Sequence, residues 1–381
     1  MTPTLPVRWG ILSSSPPTAC GIATFTTALG RALIQRGDRV SLVRILDGSD
    51  EPSTSPFDVV SDLTAGDDTS IARAARALGR CDIALIQHEY GLYGGVDGDD
   101  VVALMVQLSV PVISILHTVL PIPTVHQRCV LNRVIELSDC VIVMSDAAEA
   151  TLRTRYTLGN TPVRVIPHGA ALGLVPATTV EDNPLLLTWG LIGPGKGIEW
   201  VIDAMALLRH LTPQPHYLIA GRTHPKVLAY EGDIYRETLE RRVRDNDVAE
   251  MVSFDNTYKK LSSLNSLIAR AAMVILPYDS PDQSTSGVLV DAIAAGRPVI
   301  ATSFPHSREM LATGAGLVVN HCDARAMAEA IEKILTNGEL ARSMRGEARR
   351  IAPSLGWSGV ALRYVELARE LIGTISLEVS V

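Results

Sequence analysis

Along most of its length this chain alternates short, continuous runs of Val, Ile and Leu with segments whose apolar residues recur at helical spacing. Strands that are apolar on both faces must be covered on both faces, so the pattern predicts parallel sheets sandwiched between helices, an α/β architecture. Strands are expected at Val7–Leu12, Val40–Ile45, Asp82–Gln87, Pro111–Leu116, Cys140–Met144 and Val163–Ile166. The pattern lapses where Pro176, Thr178, Thr179, Glu181 and Asp182 follow one another without periodicity, then restarts at Leu185–Thr188, Tyr217–Ala220, Met251–Phe254, Met273–Leu276, Val299–Ala301 and Leu317–Val319. A chain of 381 residues suits two cores better than one. The reading is therefore a first Rossmann-like domain over 1–172, a linker over 173–183, and a second Rossmann-like domain over 184–355. A last helix over 356–381, with Val360, Tyr364, Leu367 and Leu371 on one side, is expected to pack back on the first domain.

Composition narrows the function classes. Apolar residues make up 47% and charged residues 20%, enough for two cores and unlike a disordered chain. A net charge of -7 argues against a nucleic-acid binder. Cys20, Cys81, Cys129, Cys140 and Cys322 are odd in number and never spaced C-x-x-C, which suggests neither a disulfide framework nor a zinc site and points to a reducing cytoplasm. The opening MTPTLPVRWG has no signal-peptide pattern, and no apolar stretch approaches the roughly 18–20 residues of a membrane span. Membrane contact is expected to be peripheral at most, at the inner face.

Ligands of open parallel sheets bind beyond the carboxyl ends of the strands, so chemistry is expected in the residues that follow each strand. After the seventh predicted strand comes Leu191-Ile-Gly-Pro-Gly-Lys-Gly197, a loop whose Gly193 and Gly195 let main-chain N–H groups approach phosphate and whose Lys196 adds a full charge. A polar loop, Pro277 to Gly287, enters a helix that ends in Ala-Ala-Gly296. Ser284, Thr285, Ser286 and Gly287 there form a helix start able to receive an anion, and Asp291 lies one turn in, placed to accept from vicinal ribose hydroxyls. Singly, these residues read as ordinary N-capping. Their coincidence selects a nucleoside-diphosphate cradle, with Arg222 of the Ala220-Gly-Arg-Thr-His-Pro225 loop as a further cation. In the first half, Gly21 opens a helix, while His88, Glu89 and His117 follow predicted strands. Glu89 reads either as an acceptor contact or as the partner of an arginine. Asp97-Gly-Asp99 reads as the solvated start of a helix, and His88, His117 and His168 have no spacing that demands zinc, so no metal is expected.

The order of glycine/lysine loop, polar loop, acidic helix and A-A-G-R-P-V-I resembles glycosyltransferase family 4 over essentially the whole chain. The resemblance implies the GT-B fold, two Rossmann-like doubly wound sheets facing each other across a cleft, and retaining transfer of a hexose, mannose or glucose, from a GDP- or UDP-sugar. The acceptor is then a carbohydrate, a glycolipid or a small molecule, and no cofactor is needed beyond the donor itself. In the family's Glu-x7-Glu signature the two positions hold Gln283 and Asp291, and Leu191 stands where an Arg is usual. The resemblance makes His117, Lys196 and Gln283 the reaction-centre residues, Gly21 a phosphate-side residue, and His168-Gly169 a turn near the hinge. Two other readings stay open: a nucleotide-sugar-binding protein without transfer activity, favoured by Gln283 and Leu191, and a sugar-nucleotide epimerase or phosphorylase-like enzyme on the same plan. A dehydrogenase is disfavoured because G-x-G-x-x-G is missing.

Overall fold

A computed structural model describes residues 5–46, 48, 52–173, 183–257, 259 and 261–378. The chain divides into two compact units, one of Met1–Gly169 with Trp357–Val381 and one of Ala170–Gly356. Most of the expected linker, residues 174–182, lies outside the described residues.

The first unit holds a seven-stranded sheet: β1 (Arg8–Ser13), β2 (Arg39–Ile45), β3 (Asp58–Leu63), β4 (Ile83–His88), β5 (Val112–Leu116), β6 (Cys140–Val143) and β7 (Val163–Val165). Every pairing is parallel, in the order β3-β2-β1-β4-β5-β6-β7. Strand β3 has no counterpart in the sequence reading. Its residues, Asp-Val-Val-Ser-Asp-Leu, are half polar, and as an edge strand it needs no continuous apolar run. On one face, Phe25, Leu29 and Leu33 of the Gly21–Gln35 helix pack with Trp9 and Ile11. Val360, Tyr364 and Leu367 of the Trp357–Glu378 helix join the same cluster. Trp9 and Tyr364 are fully buried, and truncating either to Ala would cost about 3–5 kcal/mol.

The second unit holds β8 (Leu185–Trp189), β9 (His216–Ala220), β10 (Val252–Asp255), β11 (Met273–Leu276), β12 (Val299–Thr302) and β13 (Gly316–Val319). They too are all parallel, in the order β10-β9-β8-β11-β12-β13. Strands β8, β11 and β12 are buried along their whole length, which is why they read as unbroken apolar runs. In each sheet the strand order reverses once, between β1 and β4 and between β8 and β11. At such a switch point the flanking connections leave on opposite faces and open a crevice at the carboxyl edge. No described helix is long and apolar enough to cross a membrane.

Candidate functional site

In the second unit the two loops singled out by sequence leave from β8 and β11, the strands that flank the switch point. They are fastened to each other. The Asp279 N–H donates to the Gly195 carbonyl at 3.0 Å, and the Trp200 Nε1–H donates to Asp279 Oδ1 at 2.9 Å. Gly197 sits at φ +62°, and a Cβ there would fall 1.8 Å from the Pro277 oxygen, so only glycine allows the two loops to come this close. Lys196 Nζ lies 4.7 Å from the centroid of the Tyr278 ring. That ring is a fixed platform: it stacks on Phe304 at 5.3 Å, and the Tyr278 carbonyl accepts from the Thr302 hydroxyl at 2.6 Å and from His321 Nδ1 at 2.8 Å. A cation over an aromatic face is held in place without being neutralised. Among the described residues no carboxylate pairs with Lys196, which leaves its charge for a ligand.

The helix Gly287–Ala294 starts beside this platform. Ser286 caps it, its Oγ accepting from the Leu289 N–H at 3.2 Å. The Ser286 N–H itself donates to His306 Nδ1 at 2.9 Å, so this amide, counted by the sequence reading among the ligand donors, is turned inward; only the hydroxyl proton of Ser286 remains for a ligand. The free donors lie on either side. Thr285 Oγ1 is buried without a hydrogen-bond partner, and the N–H groups of Gly287 and Val288 have no acceptor among the described residues. Ser284 is buried next to them. Gln283 turns its side-chain amide onto the Thr285 carbonyl. Asp291, four residues on from Gly287, is half-buried, and its carboxylate has no hydrogen-bond or ionic partner among the described residues. Burial pushes its pKa up to about 7. Arg222 is laced to the glycine loop through main chain: the Ile192 N–H donates to its carbonyl at 2.9 Å, and His224 N–H returns a bond to Ile192 at 2.8 Å. Gly193 is packed against Val227 of the helix that follows.

In the first unit the segments at the carboxyl ends of β1, β4, β5 and β7 carry a different chemistry. Gly21 is the first residue of its helix, Cys20 supplies no side-chain cap, and a Cβ on Gly21 would meet nothing within 4 Å. His88, 1% exposed, leaves Nδ1 without a partner, stands edge-on to Tyr90 at 5.2 Å, and is held by desolvation at a pKa of about 4. His117 Nε2 lies 2.6 Å from Gln87 Oε1, so that nitrogen carries the proton; desolvation first, then His168 and His88, bring its pKa to about 3. His168 Nδ1 donates to the Gly169 carbonyl at 2.7 Å, and its pKa falls to about 4, again through burial. Phe25 meets His117 and His168 edge-on at 5.1 Å each, and Trp357 at 5.2 Å. Glu89 accepts from the Thr118 hydroxyl and from the Tyr90 N–H. Asp97-Gly-Asp99 does lead into a helix, Asp100–Met105: Asp99 occupies its N-cap position without a side-chain cap bond, and Asp97 accepts from His126 Nδ1 at 3.0 Å and Gln127 Nε2 at 3.4 Å. Among the described residues no cluster of His, Cys, Asp or Glu is arranged to hold a metal.

Sequence reasoning missed Tyr278, His306 and Phe25. Tyr278 and Phe25 read as core aromatics, and only the fold shows what stands on them. His306 is a lone histidine at a helix start with no spacing to mark it.

Comparison with known proteins bears on the whole chain. The family described as Glycosyltransferase Family 4 matches residues 19–173, and that described as Glycosyl transferases group 1 matches residues 176–351. A D-inositol 3-phosphate glycosyltransferase of Jonesia denitrificans is 27% identical over 259 residues, 60% of this chain and 56% of that one. An alpha-D-kanosaminyltransferase of Streptomyces kanamyceticus is 25% identical over 221 residues, 55% of this chain and 54% of that one. The matched stretch thus spans little more than half the length of these curated relatives. Among solved structures, sucrose-phosphate synthase from Thermosynechococcus elongatus superposes with a TM-score of 0.79 at 22% identity, covering 97% of this chain and 100% of that one. The Anabaena protein Alr3699/HepE in complex with UDP and glucose superposes with a TM-score of 0.77 at 16% identity, covering 96% of this chain and 100% of that one. With both family matches end to end along two parallel α/β units, the chain belongs to glycosyltransferase family 4 and has the GT-B fold.

Proposed function

We propose that the protein is a retaining glycosyltransferase that moves a hexose from a nucleoside-diphosphate sugar to a carbohydrate, lipid-linked or small-molecule acceptor. The observation that carries the reading is the second unit's switch point. There an unpaired lysine on an aromatic platform, a buried hydroxyl without a partner and two unbonded amides at a helix start converge. Departure of a nucleoside diphosphate builds negative charge on its terminal phosphate, and fixed donors of this kind stabilise it without reorganising. Lys196, Thr285 and the Gly287 and Val288 amides hold the diphosphate, with Gly193, Gly195, Ser284 and Arg222 around it. Asp291 takes the ribose hydroxyls, and hydrogen bonding to them draws it into the ionised form. UDP is the nucleotide best supported, since neighbours in fold are described with UDP and UDP-glucose.

In the first unit His88 and His117, both neutral imidazoles, and the Glu89 carboxylate are the candidates for the acceptor side, and Gly21 is the phosphate-side candidate. The residues need no protein nucleophile: family resemblance supports attack on the face that the diphosphate leaves, the donor phosphate taking the acceptor proton. Five free cysteines suit a reducing cytoplasm, with peripheral membrane contact where the acceptor is lipid-linked. The test is release of UDP from UDP-sugars. Release that depends on an acceptor supports transfer. Donor consumption without acceptor identifies an epimerase or hydrolase, and binding without any turnover identifies a nucleotide-sugar-binding protein.

A further inference from the structure

The opposite edge of the second sheet carries a second concentration of positive charge, unconnected with the donor loops. Arg297 follows the Gly287–Ala294 helix and precedes β12, so it stands at the amino edge of the sheet. Arg342, Arg345 and Arg349 recur at spacings of three and four on the Gly338–Ile351 helix and therefore share one face. The two elements touch: the position a Cβ would take on Gly296 is 3.2 Å from Arg349 Cγ and 3.5 Å from its Nε. None of the four arginines is in an ion pair among the described residues. Glu347, on the same helix, is engaged by Arg350 at 2.6 Å.

Arg297 is the anomaly. It is 9% exposed, one guanidinium nitrogen donates to the Ala271 carbonyl at 3.1 Å, and its Nε is buried with no acceptor. Buried charges are ordinarily paired, and here the neighbouring charges have the same sign. Burial lowers the pKa of Arg297 and Arg345, and Arg349 lowers both further. The carboxyl end of the Gly287–Ala294 helix offers a partial negative charge, enough for one cation but not for four. A cavity of about 370 Å³ opens beside Arg349, lined also by Leu172, Gly173, Ala294 to Gly296 and Pro353.

We propose that Arg297, Arg342, Arg345 and Arg349 form a site for a phosphate or pyrophosphate group, separate from the Lys196 loop. An anion there supplies the missing counter-charge and the acceptor that Arg297 Nε lacks, and guanidinium forks suit phosphate oxygens. The occupant is a phosphorylated small molecule. A membrane surface is disfavoured because Arg297 is sunk in the fold, beyond reach of a flat bilayer.

The probe is inorganic pyrophosphate, titrated by calorimetry into the Lys196→Ala protein so that the donor loops do not dominate. One saturable event is expected at constant ionic strength, weakened at least tenfold by adding Arg345→Gln and Arg349→Gln, and retained when Arg349→Lys is added instead. A thermal unfolding curve confirms that each protein is folded. Unchanged affinity in the double glutamine variant overturns the proposal, as does binding that chloride at equal ionic strength abolishes. Arginine-dependent flotation on phosphatidylglycerol vesicles without pyrophosphate binding overturns it too, assigning the patch to lipid.

Discussion

The two switch points share a topology and differ in how they treat charge. Beyond β8 and β11 the chain places an unpaired ammonium, a helix start with unbonded amides and a carboxylate without partners. At the carboxyl ends of β4, β5 and β7 it places His88, His117 and His168, each so desolvated that it is neutral near pH 7, the last two edge-on to Phe25. The same sheet geometry thus carries unpaired charge in one unit and uncharged, hydrogen-bonding imidazoles in the other. Fold alone does not decide which; the residues on the loops do.

The largest effect that sharpens this contrast is expected at Lys196. Lys196→Ala should lower turnover by roughly 10²–10³-fold through lost stabilisation of the leaving diphosphate, with little change in melting temperature, since the ammonium makes no ion pair. Steady-state rates alongside a thermal melt measure both. Next is His117. His117→Ala should cost about tenfold or more in turnover, and because its pKa lies near 3 the wild-type pH–rate profile should show no limb from it between pH 5 and 8. A limb near pH 6 that vanishes in the variant would break the contrast, because the first unit would then work through charge.

Asp291 gives a stability signature. Its folded pKa of about 7 exceeds the model-peptide value, so the folded apo protein binds more protons than the unfolded chain between about pH 4 and 7. Stability therefore falls as pH rises through that window. Asp291→Asn should stabilise the apo protein by about 1–3 kcal/mol at pH 8 and hardly at all at pH 4, while weakening UDP binding. Denaturant melts at the two pH values measure this, and equal effects at both would contradict it. His306 comes lower: His306→Phe removes the acceptor of the Ser286 N–H and should weaken UDP by about 1 kcal/mol, with partial recovery in His306→Asn. Smallest is Gly21→Ala. A methyl there meets nothing, so stability should change by less than about 0.5 kcal/mol, and a drop in turnover without a drop in melting temperature would mark Gly21 as lying against substrate.

How much of this was legible in the sequence follows from what each feature is made of. Buried parallel strands such as β8 and β11 are continuous apolar runs, and continuity survives in one dimension. The edge strand β3 owes its existence to pairing with β2 and carries no such signature. The glycine and lysine loop and the serine-rich helix start were visible because their residues are close in sequence. That they are stitched together by Asp279 and Gly195, some eighty residues apart, was not. Nor was the fate of individual donors: Ser284, Thr285 and Ser286 look equivalent in a row, yet one serine amide is consumed by His306 and the threonine hydroxyl is orphaned. The histidines stand out in the sequence for their place after strands, but their neutrality comes from burial, which only the packed structure reveals.

The most direct check on the anion crevice is a crystal structure of the protein with UDP. The account predicts the terminal phosphate within hydrogen-bonding distance of Lys196 Nζ, Thr285 Oγ1 and the Gly287 and Val288 amides, with the ribose on Asp291. A diphosphate bound elsewhere, with Lys196 still resting on Tyr278 and the helix start unoccupied, would contradict it.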